Sequence, residues 1–303
     1  MSSIIAAGST YFGLAGFPIT IRRSKKTQGA EPSHPHDLTE VEHSHDFCEL
    51  VIVKQGQAMQ CLEGIDMPIT AGDVFLLQGH QKHYFHSRQD LELINVMYNP
   101  KELGLPENEL RRMPGYSAMF VLEPNYRNEH KFNSRLHIDQ LALAHIDNIT
   151  YEMEVECQQK IAGYEIFLRA KILELIAYLA RTYTQGKSIE SQALIRVGNV
   201  IGALENDYAK DWKLDELATI AHMSKSNLLT TFRKATHQSP IEYLIHLRIQ
   251  RAMEMMRNMD VTITEIAFAV GFNDSNYFSR QFRKIAGISA RQFKDQQQKF
   301  SAI

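Results

Sequence analysis

The chain has 303 residues, of which 44% are apolar and 22% charged, as is typical of a folded globular protein rather than a disordered one. It contains no run of the ~20 apolar residues that a membrane-spanning helix needs, and its N-terminus lacks the pattern of a secretory signal. Three cysteines, Cys48, Cys61 and Cys157, are too few for a disulfide framework, and their spacing matches no zinc motif. We therefore expect about two domains, a cytoplasmic location and no membrane partner.

Charge is distributed unevenly along the chain. From Ser188 to the C-terminus there are 15 Lys and Arg against 12 Asp and Glu, a net charge of +3. Since the whole chain has a net charge of −2, the residues before Ser188 carry −5. Ten of the 13 histidines also precede Ser188. A mildly basic C-terminal part is compatible with binding to nucleic acid but does not establish it.

The first predicted elements are β-strands, between about residues 21 and 99. Residues 49–53 and 74–77 are runs of mostly β-branched or apolar residues, and glycines bound them. Short strands at this spacing predict a small β-barrel or sandwich.

Helical periodicity begins near residue 134. Leu141, His145, Ile149 and Met153 recur every four residues, and a second helical pattern follows a break near Gly163. The first pattern predicts an apolar seam that an identical helix of a second copy covers, which would make a homodimer. The alternative is that the seam packs onto its own barrel. Residues 185–188 (Gln-Gly-Lys-Ser) form the best candidate linker.

An internal repeat dominates the C-terminal part. Residues 232–234 (Phe-Arg-Lys) recur fifty residues later at 282–284. Each copy comprises a helix, a tight turn and a second helix that starts at a capping residue, Ser224 or Asp274. This is the plan of a helix-turn-helix unit, whose second helix enters the major groove of DNA.

The two second helices have distinct faces. Leu228 and Phe232 in one, and Phe278 and Phe282 in the other, are four residues apart and should face the core. The remaining positions are small, polar or basic, so that they suit base edges or phosphates. The candidate DNA-binding residues are Lys225, Ser226, Asn227, Leu229, Thr230, Arg233, Lys234, Ser275, Asn276, Ser279, Arg280, Arg283 and Lys284.

These residues, together with the motifs at 217–218, 221–224, 263–267 and 270–272, resemble the AraC-type DNA-binding domain of bacterial transcription regulators. The resemblance runs from about residue 191 to 300. It implies two helix-turn-helix units that bind about two turns of DNA beside a promoter. Two departures, His237 for the usual Gly and Ala290 for the usual Pro, lie at helix ends and outside the expected reading face.

A second constellation lies in the predicted strands. His43, His45 and Glu49, followed by Gly56, have the H-x-H-x3-E-x6-G spacing of the cupin barrel, and His83 falls where the second cupin motif supplies a further histidine. If residues 43–49 form one strand, then His43, His45, Phe47 and Glu49 share a face directed into the barrel. In the second motif, residues 78–80 (Gln-Gly-His) depart from the Pro-x-Gly of the cupins.

Three interpretations of this constellation remain open. His43, His45, Glu49 and His83 are a candidate site for a divalent transition metal. Alternatively, they and Phe47 form a metal-free lining that binds a small effector. The third interpretation is a purely structural role. No cofactor is required by the sequence.

The N-terminal part resembles the sensor half of AraC-type regulators, so the resemblance covers nearly the whole chain. More narrowly, residues 45–53 and 93–95 are similar to the L-rhamnose operon activators, which implies a sugar effector. Within the family, the barrel binds a small molecule and the helices that follow it pair two subunits.

The predicted architecture is multidomain. Residues 1–130 form an N-terminal arm and an all-β, cupin-like effector-binding barrel, 131–187 a helical dimerisation segment with its linker, and 188–303 an all-α domain with two helix-turn-helix motifs. We expect an effector-controlled transcription regulator, an activator of a carbohydrate operon that binds double-stranded operator DNA and RNA polymerase, and no enzyme. The alternatives are a metal-dependent cupin enzyme with a DNA-binding tail and a constitutive DNA-binding protein whose barrel is a scaffold.

Overall fold

The computed structural model describes residues 4–12, 16–25, 41–127, 133–258 and 261–301. By its contacts the chain divides into two compact units, Met1–Ile195 and Arg196–Ile303. The first is rich in strands and the second is helical, so the predicted fold class is confirmed. No helix within the described ranges is long and apolar enough to cross a membrane.

The first unit contains eight described strands: β1 (Ile4–Ala6), β2 (Ile19–Lys25), β3 (His43–His45), β4 (Cys48–Leu62), β5 (Ile65–Thr70), β6 (Asp73–Leu77), β7 (His83–Tyr98) and β8 (Leu136–His137). Its helices are α1 (Gly8–Phe12), α2 (Pro100–Leu103), α3 (Glu107–Arg111), α4 (Pro114–Tyr116), α5 (Glu123–Tyr126), α6 (Gln140–Gln159) and α7 (Tyr164–Tyr183), with a π-helical segment at Ser117–Leu122.

The barrel is built around the two longest strands. β4 and β7 are antiparallel and pair from Cys48↔Tyr98 to Leu62↔His83. β6 lies beside the first half of β4 and β5 beside its second half, while β2 pairs with the last part of β7 and β3 meets its first residue. Because both long strands change neighbours part-way, and β4 has register shifts between Val53 and Met59, the sheet curls around an apolar interior.

One position within β4 requires glycine. Gly56 has a φ of +77°, and a Cβ atom there would collide with the backbone carbonyls of Gln89 and Asp90. The close approach of strands β4 and β7 at this position therefore depends on the absence of a side chain at Gly56.

Helices α6 and α7 confirm the predicted helical pair, and the break lies at Lys160 and Gly163, which have φ values of 49° and 93°. The predicted dimer seam is wrong at two of its positions. Ile149 and Met153 are buried within their own unit, whereas Leu141 is 84% exposed. The helix packs on β2, where Arg23 contacts Asp147 at 2.5 Å and Glu154 at 2.7 Å.

The second unit consists of short helices. α8 (Ile189–Asn206) begins within the first unit, and α9 (Leu214–Ile220), α10 (Lys225–Thr236), α11 (Pro240–Asn258), α12 (Ile263–Ala269), α13 (Ser275–Ala286) and α14 (Ala290–Ser301) follow. Residues 184–188, which include the predicted linker, are not helical.

The two helix-turn-helix units are α9–α10 and α12–α13. Ser224 caps α10 by accepting a hydrogen bond from the backbone of Asn227, and Asp274 caps α13 through Asn276. The four predicted core residues Leu228, Phe232, Phe278 and Phe282 are fully buried. Sequence periodicity therefore placed both helices and their inward faces correctly.

Both departures from the family pattern lie at capped helix ends. His237 ends α10 in the left-handed conformation, with φ 60°. Ala290 begins α14, and its neighbour Ser289 exchanges hydrogen bonds with Gln292, so the end is closed without proline.

Candidate functional site

Three of the predicted barrel residues form a buried polar cluster. Oε2 of Glu49 lies 3.2 Å from Nε2 of His45 and 3.5 Å from Nε2 of His83. All three side chains are at most 5% exposed. Together they form a group of ligand atoms close enough to hold one metal ion.

Backbone carbonyls fix the orientation of both imidazole rings. Nδ1 of His45 lies 2.7 Å from the carbonyl of Phe47, and Nδ1 of His83 lies 3.0 Å from the carbonyl of Gln81. Because a carbonyl only accepts, each Nδ1 must donate, which leaves Nε2 facing the carboxylate. Neither Nε2 atom has an aligned hydrogen-bond partner among the described residues. Two imidazole lone pairs and a carboxylate that face one another require a cation or protons between them.

The electrostatics of Glu49 correspond to the second of these cases, in which both Nε2 atoms carry protons directed at the carboxylate. Burial acts to raise the pKa of its carboxyl group, but the two imidazoles beside it hold the pKa well below its usual range. The side chain is therefore an anion inside the barrel, available to a cation or to a hydrogen-bond donor.

His43 and Phe47 lie beside this cluster. The expected single strand over residues 43–49 is wrong, because the chain bends at Asp46 and Phe47, between β3 and β4. His43 packs its ring 4.4 Å from that of His83 and is not part of the three-residue group. Phe47 stacks on His45, with ring centroids 4.4 Å apart and planes 9° apart.

All five predicted effector-binding residues line one cavity, His43, His45, Phe47, Glu49 and His83. Its volume is about 20 Å³, which is room for a single ion or water molecule. Tyr11 of α1 forms part of the wall, and the backbone of α1 is held by a 2.7 Å hydrogen bond from Gly8 to Asp46. The cavity as it stands does not hold a monosaccharide.

Sequence reasoning missed two further polar residues inside the barrel. Oδ1 of Asn95 and both amide atoms of Gln60 are buried without hydrogen-bond partners among the described residues. Asn95 lies two residues from Leu93 and two from Met97 along β7, so that the three side chains share a face of the strand, and all three line the same cavity. A polar residue at an inward position between the apolar Leu93 and Met97 was the signal that could have identified Asn95.

The predicted DNA-binding residues lie on the surface of the second unit. All are exposed except Leu229 and Ser275, which are half-buried. Several make local contacts. Lys225 forms a 2.6 Å ion pair with Asp215, and the guanidinium of Arg280 lies 5.8 Å from the ring centre of Tyr277.

Four of the six basic candidates lie at the C-terminal ends of α10 and α13. Arg233 and Lys234 occupy the last turn of α10, and Arg283 and Lys284 the same place in α13. The first halves of both helices carry mostly small or polar side chains, with Lys225 and Arg280 as their cations, and the last turns carry paired cations. This order suits base contacts by the first halves and phosphate contacts by the last turns.

Two family models match this chain. One, described as an AraC-like ligand binding domain, matches residues 29–116, and the other, described as a helix-turn-helix domain, matches residues 217–296. The chain belongs to the AraC-type transcription regulators. The family resemblance expected from the sequence is thereby confirmed for both the sensor domain and the DNA-binding domain of this regulator.

Curated relatives extend over most of this regulator. It is 28% identical to "HTH-type transcriptional activator RhaR" of Escherichia coli over 262 residues, 86% of this chain and 89% of the relative. It is 27% identical to "HTH-type transcriptional activator RhaS" of Klebsiella pneumoniae over 290 residues, 94% of this chain and 95% of the relative. Among solved structures, the C-terminal domain of the response regulator yesN from Fusobacterium nucleatum is 27% identical over 31% of this chain and 93% of that domain, with a TM-score of 0.30.

Proposed function

We propose that this AraC-type regulator is a transcription activator of a carbohydrate operon, controlled by a small molecule that binds in its barrel. The observation that carries the proposal is a combination within one chain. Two helix-turn-helix faces are exposed, and the barrel contains buried polar atoms that have no hydrogen-bond partner within the described ranges. The matched relatives are named as transcriptional activators, which supports the direction of regulation.

In this proposal, double-stranded operator DNA is bound by α10 and α13. Their first halves read base edges and their last turns hold phosphates, through the thirteen residues predicted from the sequence. An activator of this kind also contacts RNA polymerase, and it acts where the genome is, in the cytoplasm of a bacterium.

We propose a homodimer through exposed apolar side chains of α6 and α7, of which only Leu141 belongs to the predicted seam. Leu141, Tyr151 and Ile166 on α6 and α7 are 84%, 59% and 73% exposed. Apolar side chains at this exposure on two neighbouring helices favour a second copy as their partner.

The proposed effector is a sugar, with L-rhamnose the first to be tested because residues 45–53 resemble the L-rhamnose operon activators. His45, Glu49, His83 and Asn95 offer it buried hydrogen-bonding atoms. Because the cavity holds only about 20 Å³, sugar entry requires the wall to move, and Tyr11 on the short helix α1 belongs to that wall.

A divalent transition metal fits the same cluster. Ligand atoms about 2.0–2.1 Å from a tetrahedral metal lie about 3.3 Å from one another, and the two Nε2–Oε2 distances of 3.2 and 3.5 Å agree with this. The Nδ1-to-carbonyl contacts of both histidines are the usual outer support of metal-bound imidazole. We therefore propose His45, Glu49 and His83 as ligands; a bound metal would offer sugar hydroxyls a Lewis acid.

Equilibrium dialysis against Zn²⁺ tests the metal proposal. We expect about one equivalent bound, and a loss of tenfold or more in affinity for Glu49→Gln and for His83→Ala. His43→Ala distinguishes three ligands from the four of the sequence prediction, since the geometry predicts that it keeps most of the affinity. His145→Ala on the exposed side of α6 is the control. Equal Zn²⁺ binding by all four variants would reject the site.

Operator binding in the presence of a sugar panel tests the function as a whole. A ligand at 100 times its dissociation constant stabilises the folded chain by about 2.7 kcal/mol and should change the affinity for operator DNA. Chemical turnover of a sugar by metal-loaded protein would instead support the cupin enzyme. Operator binding that no small molecule alters would support the scaffold barrel.

A further inference from the structure

A second and larger cavity lies outside the barrel interior. It is a cleft of about 420 Å³ between α1, the strand β2 and the turn that joins α6 to α7. This volume lies within the range of pockets that bind small organic molecules. Of its lining residues only Tyr11 also lines the polar cavity described above.

The charge of the cleft is predominantly positive. Its charged lining residues are Arg22, Arg23, Lys160 and Glu154, three cations and one carboxylate, which is a balance of +2. Arg23 is already neutralised, because it contacts both Glu154 and Asp147.

Two cations in the cleft therefore remain for a ligand. Nε of Arg22 is buried and has no hydrogen-bond partner in the described part of the chain. Lys160 is held at the end of α6 in the left-handed conformation. Both charges act on the thiol of Cys157 in the cleft, where they oppose the effect of burial, which raises its pKa to about 11. Arg22, on β2, and Lys160, at the end of α6, both line the cleft.

The rest of the lining is largely aromatic. Tyr11, Phe12, Phe17 and Tyr164 contribute rings from three different segments. Phe17 and Tyr164 meet edge to face at 6.1 Å, and the guanidinium of Arg169 lies 5.1 Å from the centre of the Phe17 ring. Rings held in this way offer flat apolar surfaces for a planar ligand body.

We propose that this cleft is a second ligand site, which takes a small organic anion with a carboxylate on a ring body. The carboxylate binds Arg22 and Lys160, and the ring packs among the aromatic side chains. Such a ligand contacts β2 and the α6–α7 turn at once, so that its binding joins the barrel to the helical pair. The site is independent of the sugar and metal proposals for the barrel interior.

Titration with 4-fluorobenzoate, followed by ¹⁹F NMR on the full chain, tests the proposal. The neutral isostere 4-fluorobenzamide keeps the ring and removes the charge. Because hydrogen bonds to a charged group are the stronger ones, we expect the amide to bind at least tenfold more weakly than the acid. Arg22→Gln and Lys160→Gln should each weaken binding of the acid by a similar factor, whereas Arg181→Gln, at an exposed position of α7, should leave it unchanged.

Three results would overturn the proposal: no binding of the acid at millimolar concentration, equal binding of acid and amide, or wild-type affinity in both cleft variants. Lys160 is exposed, so its variant remains informative even if substitution of the half-buried Arg22 prevents folding.

Discussion

Because of the internal repeat, the C-terminal ends of α10 and α13 are equivalent positions, and the residue that ends the helix is histidine in one and glycine in the other. α10 ends at His237 with φ 60°, and α13 ends at Gly287 with φ 76°. Each donates its backbone N–H to the carbonyl four residues earlier, Arg233 or Arg283, at 2.8 and 3.0 Å. The two ends therefore have the same geometry, but only one has the residue that tolerates it without strain.

We predict that Gly287→Ala destabilises the DNA-binding unit and that His237→Gly stabilises it. A Cβ at Gly287 would meet no atom within 4 Å, so the whole effect is the cost of the left-handed backbone, about 1 kcal/mol. His237→Gly removes that cost and adds flexibility to the unfolded chain, so its gain should be smaller, about 0.5 kcal/mol.

Fluorescence of the one tryptophan in the chain, Trp212, isolates this unit in thermal unfolding of the full protein. For a unit of about 100 residues, 1 kcal/mol corresponds to a shift in Tm of about 4–8 °C. An unchanged Tm for Gly287→Ala, or a lower Tm for His237→Gly, would refute the assignment of strain to these caps.

Three further predictions concern DNA and the barrel. Arg280→Ala should weaken operator binding by about 1–3 kcal/mol and relax base preference at one position, whereas Arg283→Ala should weaken operator and random DNA equally in anisotropy titrations. Asp147→Asn should cost about 1 kcal/mol at pH 7 in urea unfolding. Burial acts to raise the pKa of Asp147, but Lys54 and Arg23 lower it by more, so that the pKa in the folded protein lies below the usual value. The stability that the Asp147 anion contributes is therefore complete above pH ~4 and is lost as the pH falls through the pKa of the folded state. Gly56→Ala should destabilise the barrel by about 2 kcal/mol or more, measured by circular dichroism, because the added Cβ meets backbone.

The DNA-binding unit could be predicted in detail because its signals are local. A helix of twelve residues shows its inward face through residues four apart, as Leu228 and Phe232 do, and its start through one capping side chain. The internal repeat shows the same pattern a second time, in Phe278 and Phe282 of α13.

Three of the four predicted metal ligands, His45, Glu49 and His83, do lie together, but the reasoning that grouped His43, His45 and Glu49 was wrong. Equal parity along one strand was expected to bring His43, His45 and Glu49 together, but the chain bends between β3 and β4. His45 and Glu49 meet because β3 and β4 both lie beside β7, which carries His83. Such pairing between distant strands leaves no local signal in the sequence.

The α6 seam was misjudged because periodicity shows that a helix has an apolar face without showing what covers it. Ile149 and Met153 face their own unit, and the ion pairs of Arg23 with α6 join strand and helix over more than 120 residues of chain. The cleft residue Arg22 was missed because one arginine beside another in a strand is an ordinary surface pattern.

The unpartnered polar atoms inside the barrel have a consequence for the lifetime of the protein in the cell. Each such buried atom costs about 1–3 kcal/mol until something satisfies it. In the described part of the barrel, His45, His83 and Asn95 carry one each and Gln60 carries two. An empty barrel therefore opens more often than a filled one, and proteases degrade the open form. Under the proposed function, we expect the abundance of this regulator to rise with the supply of the proposed effector, so that the cell keeps most of the protein when it has a use for it.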